Sequence, residues 1–433
     1  MPHSLKSLFR DVGKRLSDYL TLVPLEAACK YFFADGSEFT AYCDPQALRQ
    51  EIARVFPSEL QRFERYFQHI QKIYEATAEN FIYNPFSFAR LFKTNPLRLL
   101  EIDALTTVHK RNASFFRDPR LVQFLDRFPT YVGASPYLAP ATLNVIPFVE
   151  LAFGGFYVRG GMYRLAEAYQ RLAQEFGAEF HFQQDVKRIL VKDGSAVGVE
   201  LASGERIEAD AIISNDDACH LYGELLEGQQ TSRRIKALSN LEASCSGFVL
   251  CLGIGKVHPH LWHHNIFFSR DYKQEFEEIF THRVPPSEPT IYITISSKSD
   301  TGQAPVGKEN WFVLVNAPYL SKQFDWEKQK QAYREVVIQR LKSLGFSDLE
   351  KHIEFEAILT PLDLKLRFNA HRGAIYGISS NSRRAAFLRP KNRSPFVKRL
   401  YLATGSAHPG GGTPMVTLSG KFAAELLMQD LGG

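Results

Sequence analysis

The closing segment Leu400 to Gly420, LYLATGSAHPGGGTPMVTLSG, carries the residue types and spacing best suited to chemistry. Leu400 to Thr404 is a short apolar run that predicts a buried strand, and it ends on Gly405, where a backbone can approach a ligand closely. Pro409, Gly410, Gly411, Gly412 and Pro414 form a loop with few obstructing side chains, and Thr417 to Leu427 predicts a helix, small on one side and apolar on the other. Strand, glycine loop and helix together aim backbone N–H groups at a ligand, either a phosphate or the edge of a flat heteroaromatic ring. Consecutive glycines between a strand and a helix also serve as a plain flexible connection.

Other chemistries find less support. His258, His260, His263 and His264 are close enough in sequence to chelate, but they lack a nearby acidic residue and match no structural zinc spacing, so no metal is expected. There is no GxSxG and no Ser, His and Asp arrangement for hydrolysis, and no GxxxxGK[ST] for phosphoryl transfer. Asp363, His371 and His408 read as hydrogen-bonded structural residues, which leaves the catalytic group unknown.

The elements that must position this segment come from a chain of 433 residues, long enough for two or three domains, with 45% hydrophobic and 23% charged residues. A net charge of +5 is too weak to argue for nucleic acid, though sufficient for anionic lipid if the charges cluster. The 34 phenylalanines suit a large apolar pocket, a membrane-facing surface or a bulky core. Cysteines 29, 43, 219, 245 and 251 are odd in number and lack CxxC spacing, which argues against a disulfide framework and for a reducing cytosol. No apolar run is long enough to span a bilayer, and the N-terminus lacks the apolar core of a secretory signal.

In order, Leu5 to Leu16 predicts a helix, and Tyr31 to Phe33 and Glu38 to Tyr42 predict strands around an Asp35-Gly36 turn. Asp44-Pro45 opens a helix, and a long amphipathic helix runs from Phe63 to about Phe81. Phe86 to Leu100 interleaves aromatic and basic residues without an acid, a composition suited to a bilayer interface or to packing against another domain. Tyr131 to Pro147 reads as loop, Phe156 to Val158 as a strand, Gly160-Gly161 as a tight turn, and Leu165 to Phe176 as a helix capped by Gly177. Strands are predicted at Phe180 to Phe182, Val186 to Val191, Ala196 to Leu201 and Arg206 to Ile207, with a buried one at Ala211 to Ser214. Further strands at Phe248 to Ile254, Thr290 to Ser296 and Trp311 to Asn316 should form an antiparallel sheet with the early pair, followed by a helix at Trp326 to Leu344 and a strand at Ile353 to Leu359.

Several stretches together resemble the bacterial phytoene desaturase and carotenoid oxidoreductase family, flavoproteins of the amine-oxidase-like class. They include LVPL at 22–25, FADGSEF at 33–39, YVRGGMYRLAEA at 157–168, ADAIISNDD at 209–217, HHNIFFSRDY at 263–272, TPLDL at 360–364, GAIYG at 373–377, FLRP at 387–390 and HPGGGTP at 408–414. The resemblance implies an α/β (α+β) fold of glutathione-reductase-like type, with a Rossmann-like FAD domain, an antiparallel-sheet substrate domain and a helical, membrane-facing region. It assigns 1–60 to the substrate-domain sheet and helices, 61–150 to the helical region, 151–226 to the FAD domain, 227–365 to the substrate-domain sheet and 366–433 to the FAD domain. FAD is the implied cofactor, with Gly160, Gly161, Gly405, Ser406, Pro414 and Met415 against it and Val186 on its adenine side. Phe156 and Tyr157 would line the substrate site. The implied substrate is a long polyene, from which hydrogens are removed or whose end is oxidised, at a cytoplasmic face of a membrane.

The sequence departs from the family in one place: it has no GxGxxG, the turn that seats the FAD pyrophosphate on a helix N-terminus. The first βαβ unit would then be missing, and the chain is expected to bind FAD weakly and fold poorly alone. A non-catalytic, carotenoid- or lipid-binding remnant is the reading from a different class.

Overall fold

Period-two alternation of large apolar residues builds the principal sheet of the protein, a computed structural model of which describes residues 1–85, 101–226, 233–382 and 389–432. The strands in chain order are β1 (Leu22–Pro24), β2 (Ala27–Phe32), β3 (Glu38–Tyr42), β4 (Phe156–Val158), β5 (Val186–Lys192), β6 (Ser195–Leu201), β7 (Arg206–Glu208) and β8 (Ile212–Ser214). They continue with β9 (Ser246–Ile254), β10 (His264–Phe267), β11 (Ile291–Thr294), β12 (Glu309–Ala317), β13 (Ile353–Leu359) and β14 (Leu400–Leu402). Seven of them form one sheet in the order β13-β9-β12-β11-β10-β2-β3. All its pairs are antiparallel except β10 with β2, which aligns Asn265 with Lys30 and Phe267 with Phe32. The expected union of the early hairpin with the later strands is therefore present. Strand β10, inside the histidine-rich stretch, carried no clear periodic signal and was not anticipated.

The two faces of this sheet bury different partners. Phe248, Leu250, Ile293, Trp311 and Val313 pack on Val337, Ile338 and Leu341 of the helix Trp326–Ser343. Tyr31, Ala41 and Ile266 point the other way, toward Ile52 of helix Pro45–Val55, Tyr66 and Ile70 of Leu60–Thr77, and Phe124 of Pro119–Asp126. The aromatic stripe of Leu60–Thr77 is thus core, and each large side chain buried there contributes roughly 1.5–3 kcal/mol of transfer free energy. Asp44, as expected, caps the helix after it by accepting from the Ala47 N–H.

The parallel part is small. β8 and β14 pair in parallel as a two-stranded sheet, Leu400 beside Ile212 and Leu402 beside Ser214. The antiparallel meander β5-β6-β7 joins it where the Ala196 N–H donates to the Lys398 carbonyl at 2.9 Å.

Four expectations need correction. The N-terminal helix spans Pro2–Asp11 rather than reaching Leu16, because Gly13 takes a left-handed φ of +74° just beyond it. Tyr131 to Pro147 is not all loop: a helix Val145–Phe153 begins inside it, with Pro147 in the first turn, where a missing N–H costs nothing. Phe180 to Phe182 forms no strand, since no described strand lies beside it to receive its hydrogen bonds, and both rings are exposed. Strand β8 is not buried throughout, because β14 covers only one edge and Ile213 is 43% exposed. The aromatic and basic segment Phe86 to Leu100 lies outside the described residues. No helix among the described residues is long and apolar enough to cross a membrane, and all five cysteines are free thiols.

The motif TPLDL forms a reciprocal cap. Thr360 and Asp363 exchange side-chain to backbone hydrogen bonds at the start of helix Pro361–Phe368, so Asp363 is structural. Thr360→Ala is expected to lower unfolding free energy by about 1 kcal/mol in urea titration, and no change would show the cap to be redundant.

Candidate active site

The closing segment folds as its spacing predicts, with a longer helix. Strand β14 is fully buried, and the helix starts at Thr413 and runs to Leu431, with Pro414 in its first turn. Its N-cap is Gly412 at φ +102°, and no side chain caps the N-terminus, so the first N–H groups are left for another partner. The loop before it is held tightly. A Cβ on Gly411 would come within 2.4 Å of the Tyr376 ring, and one on Gly405 within 3.4 Å of the Gly411 Cα. Gly411 is therefore a point of close approach rather than slack.

Ser406 is buried, and its Oγ accepts from the Ala218 N–H at 2.8 Å, which fastens the strand-to-loop turn to the short helix at Ala218–His220. His408 holds the Asn84 carbonyl at 3.0 Å, and burial pulls its imidazole down to about 4, keeping it neutral. His371 contacts the Ser239 carbonyl. All three lone candidates from the sequence are therefore hydrogen-bonded structural groups.

Arg389, within the FLRP stretch, was not singled out by sequence reasoning. Its guanidinium donates to the Gly405 carbonyl at 2.9 Å and has no carboxylate partner among the described residues. Burial alone brings it down to about 10. A half-buried cation with no carboxylate beside it among the described residues, next to an uncapped helix N-terminus, suits a polar or anionic group, and both features fit a flavin cofactor.

The Gly160-Gly161 turn is brought to the same region through packing. Both glycines have positive φ, +83° and +98°. The helix that follows, Tyr163–Glu175, touches the C-terminal helix where Tyr169 and Thr417 share a hydrogen bond of 2.8 Å. The Gly160 N–H donates to Asp300 Oδ2 at 2.7 Å, and that bond is the main reason the Asp300 carboxyl titrates below its ordinary range. Asp300, from the loop between β11 and β12, is a second residue that the sequence did not mark. Val186 stands at the opposite end of β5 from the contact with Lys398, about 20 Å along the strand.

Beside the turn lies a cavity of about 180 Å³, between the sheet and the helices that cover it. Its walls come from β2 (Ala28, Cys29), β10 (His264), β11 (Tyr292), Arg127, Tyr131 and Glu150 of the helical region, and Leu25, Gly155 and Phe156. Phe156 faces this space. Tyr157, one residue on, turns the other way, its ring 5.0 Å from His263 and its hydroxyl 3.4 Å from Asp300 Oδ2. The polar cluster in the wall was missed, because Arg127 and Glu150 meet only across two helical segments. Arg127 donates through Nε to the Tyr31 hydroxyl at 2.9 Å and through Nη2 to the Tyr131 hydroxyl at 2.8 Å. The Glu150 carboxylate lies 3.3 Å from Nη2 and accepts from the Tyr131 hydroxyl at 2.6 Å.

The histidine cluster resolves differently from its sequence reading. His258 does have an acidic partner, Glu309, at 2.9 Å, supplied by β12 rather than by a neighbour in sequence. His263 bonds the Ser299 hydroxyl, and His264 bonds the Tyr292 hydroxyl.

An antiparallel sheet with a cavity under its covering helices, and a parallel strand pair ending in a glycine loop and a helix N-terminus, are the parts of a flavin-dependent oxidoreductase of the amine oxidase architecture. The chain belongs to the flavin containing amine oxidoreductase family, whose profile matches residues 2–428, and its cofactor is FAD. It is 35% identical to a 4,4'-diapolycopene oxygenase of a Methylomonas species, over 100% of this chain and 87% of that one. A zeta-carotene-forming phytoene desaturase of Myxococcus xanthus is 34% identical, over 99% of this chain and 83% of that one. A 1-hydroxycarotenoid 3,4-desaturase of a Flavobacterium species is 35% identical, over 99% and 87%. Among solved structures, an oxidoreductase from Methanosarcina mazei has a TM-score of 0.59 at 14% identity, covering 99% of this chain and 85% of that one. Putrescine oxidase bound to putrescine gives 0.58 at 12% identity, covering 100% and 86%, which establishes the fold.

Proposed function

We propose that the protein is an FAD-dependent carotenoid desaturase, removing hydrogens from a long conjugated polyene. The observation that carries this reading is the similarity, at about a third identity along essentially the whole chain, to enzymes named for carotenoid desaturation and oxygenation. Gly160, Gly161, Gly405, Ser406, Pro414 and Met415 are the residues proposed to lie against the cofactor, joined by Arg389. Val186 is assigned to its adenine side, and Phe156 and Tyr157 to the substrate side.

FAD supplies the two-electron acceptor for a C–H bond next to a double bond. The chain's own part is placement. A hydrocarbon offers no charge or hydrogen bond, so apolar side chains such as the exposed Phe156 can hold it only by shape and exclusion of water. Positive charge developing on a polyene is spread along its own double bonds, so no strong base is required of the wall. That accords with the neutral, internally bonded state of His264 and His408. An amine substrate suits the cavity less well, since its one carboxylate, Glu150, already faces Arg127. A substrate dissolved in lipid also supports a location at a membrane surface.

The test is anaerobic mixing of the FAD-soaked protein with polyene-loaded liposomes. Loss of the oxidised flavin absorbance, with a red-shifted polyene, is expected. Reduction by amines and by no polyene would overturn the substrate assignment. A chain that takes up no flavin would overturn the proposal that these glycine segments suffice to hold it.

A further inference from the structure

The cavity beside Phe156 is too small for a polyene and too polar for a purely hydrocarbon occupant. Its volume of about 180 Å³ is close to the roughly 150 Å³ that encloses a benzene, so it takes an end group while the chain lies outside. Apolar atoms of Leu25, Ala28 and Phe156 form part of the wall, and polar groups around the charged pair Arg127 and Glu150 form much of the rest. Arg127, only 6% exposed, uses Nε and Nη2 for Tyr31, Tyr131 and Glu150, while its Nη1 makes no hydrogen bond among the described residues. A hydrocarbon end pressed against that nitrogen would strip it of water and return nothing.

We propose that Arg127 selects polyenes that carry a neutral oxygen, a carbonyl or a hydroxyl, on the end seated in this cavity. The inference rests on the carotenoid reading above and narrows it to a substrate class. Nη1 is the donor, and the ring of Tyr131 and the Tyr31 hydroxyl fix the guanidinium plane, with the Arg127 carbon 4.6 Å from the Tyr131 ring centre. The neutrality of the oxygen follows from charge. Glu150 already balances Arg127, and burial pulls His264 down to about 3, so the wall holds one cation and one anion. A carboxylate end would meet Glu150 without a second cation to offset it. Arg127 is thus a specificity-determining residue, binding an end group of the polyene.

Equilibrium binding to the FAD-soaked protein, read by quenching of tryptophan fluorescence, tests this with three polyenes of equal length ending in a methyl, an aldehyde and a carboxylate. The aldehyde is expected to bind about ten- to hundred-fold tighter than the methyl compound, with the carboxylate weaker than the aldehyde. The paired substitution Arg127→Met with Glu150→Gln, which leaves no buried charge unmatched, should bring the aldehyde-to-methyl preference to about one. Equal binding of methyl and aldehyde ends by the unsubstituted protein overturns the proposal alone, as does a preference that survives the paired substitution. If a folded protein binds none of the three, the carotenoid reading falls and the proposal with it. The ligand series on the unsubstituted protein decides the matter even where the paired variant does not fold.

Discussion

Gly373→Ala is expected to give little or no folded protein, or protein whose melting temperature falls by more than any surface substitution could explain. Gly373 sits at φ +65°, and a Cβ added there would stand 2.1 Å from the Pro361 carbonyl oxygen and 2.8 Å from its carbon. Those atoms are backbone, at the start of a helix that the Thr360–Asp363 cap fixes in place, so they cannot swing aside as a side chain would. The Gly373 carbonyl also accepts from the buried Ser246 hydroxyl at 2.5 Å, which ties this turn to the first residue of β9. Left-handed strain of roughly 1–2 kcal/mol adds to an overpacking cost of roughly 1–3 kcal/mol, a large part of a marginal stability of about 5–15 kcal/mol. Gly36→Ala is the control. Gly36 also has a positive φ, +83°, but nothing lies within 4 Å of its added Cβ, so only the strain remains. Comparable melting temperatures for the two variants would show that the Pro361 collision relaxes at no cost.

Glu309→Ala should be the most damaging change on the far side of the sheet. Its buried carboxylate accepts from the His258 N–H at 3.0 Å, His258 Nδ1 at 2.9 Å, Lys298 Nζ at 2.6 Å and Trp311 Nε1 at 2.9 Å. Removing it leaves the ring N–H groups of His258 and Trp311 without their acceptor and Lys298 with only the His258 carbonyl, a loss on the order of 3 kcal/mol in denaturant unfolding. The same residue gives stability an acid limit. Burial opposes its ionisation, but the hydrogen bonds from His258, Lys298 and Trp311 outweigh it and hold the folded group at about 2, below an ordinary value of 4.5. A carboxyl with a depressed folded value stabilises the protein above 4.5, and that contribution is lost as pH falls from about 4.5 toward 2. Unfolding free energy should decline across that window, and the decline should be shallower in Glu309→Gln, which keeps the shape without the charge. Identical pH profiles for the two proteins would remove Glu309 as the cause.

Local pattern made much of this molecule legible. The alternating apolar residues of β9, β11 and β12 marked strands because a half-buried sheet demands period two, and the three- and four-residue spacing of Leu60–Thr77 marked a helix for the corresponding reason. The strand, glycines and proline from Leu400 to Pro414 announced a tight loop before a helix, since only such residues let a backbone turn there. Their resemblance to carotenoid oxidoreductases gave the family and the cofactor. Phe180 to Phe182 shows the limit of this reasoning: a strand needs a neighbour for its hydrogen bonds, and pattern within one segment cannot say whether a neighbour exists.

What only the tertiary structure decided are the groups that act across long separations in sequence. Arg127 meets Tyr31 from 96 residues away, Asp300 meets Gly160 across 140, and Glu309 meets His258 across 51. None of these pairs lies on one helix face or one strand, so no periodicity could join them. Type and local spacing determined which elements form and where the glycine loop lies. The charges that line the cavity are set by which elements pack together, because electrostatic and hydrogen-bonding partners are chosen by distance in space.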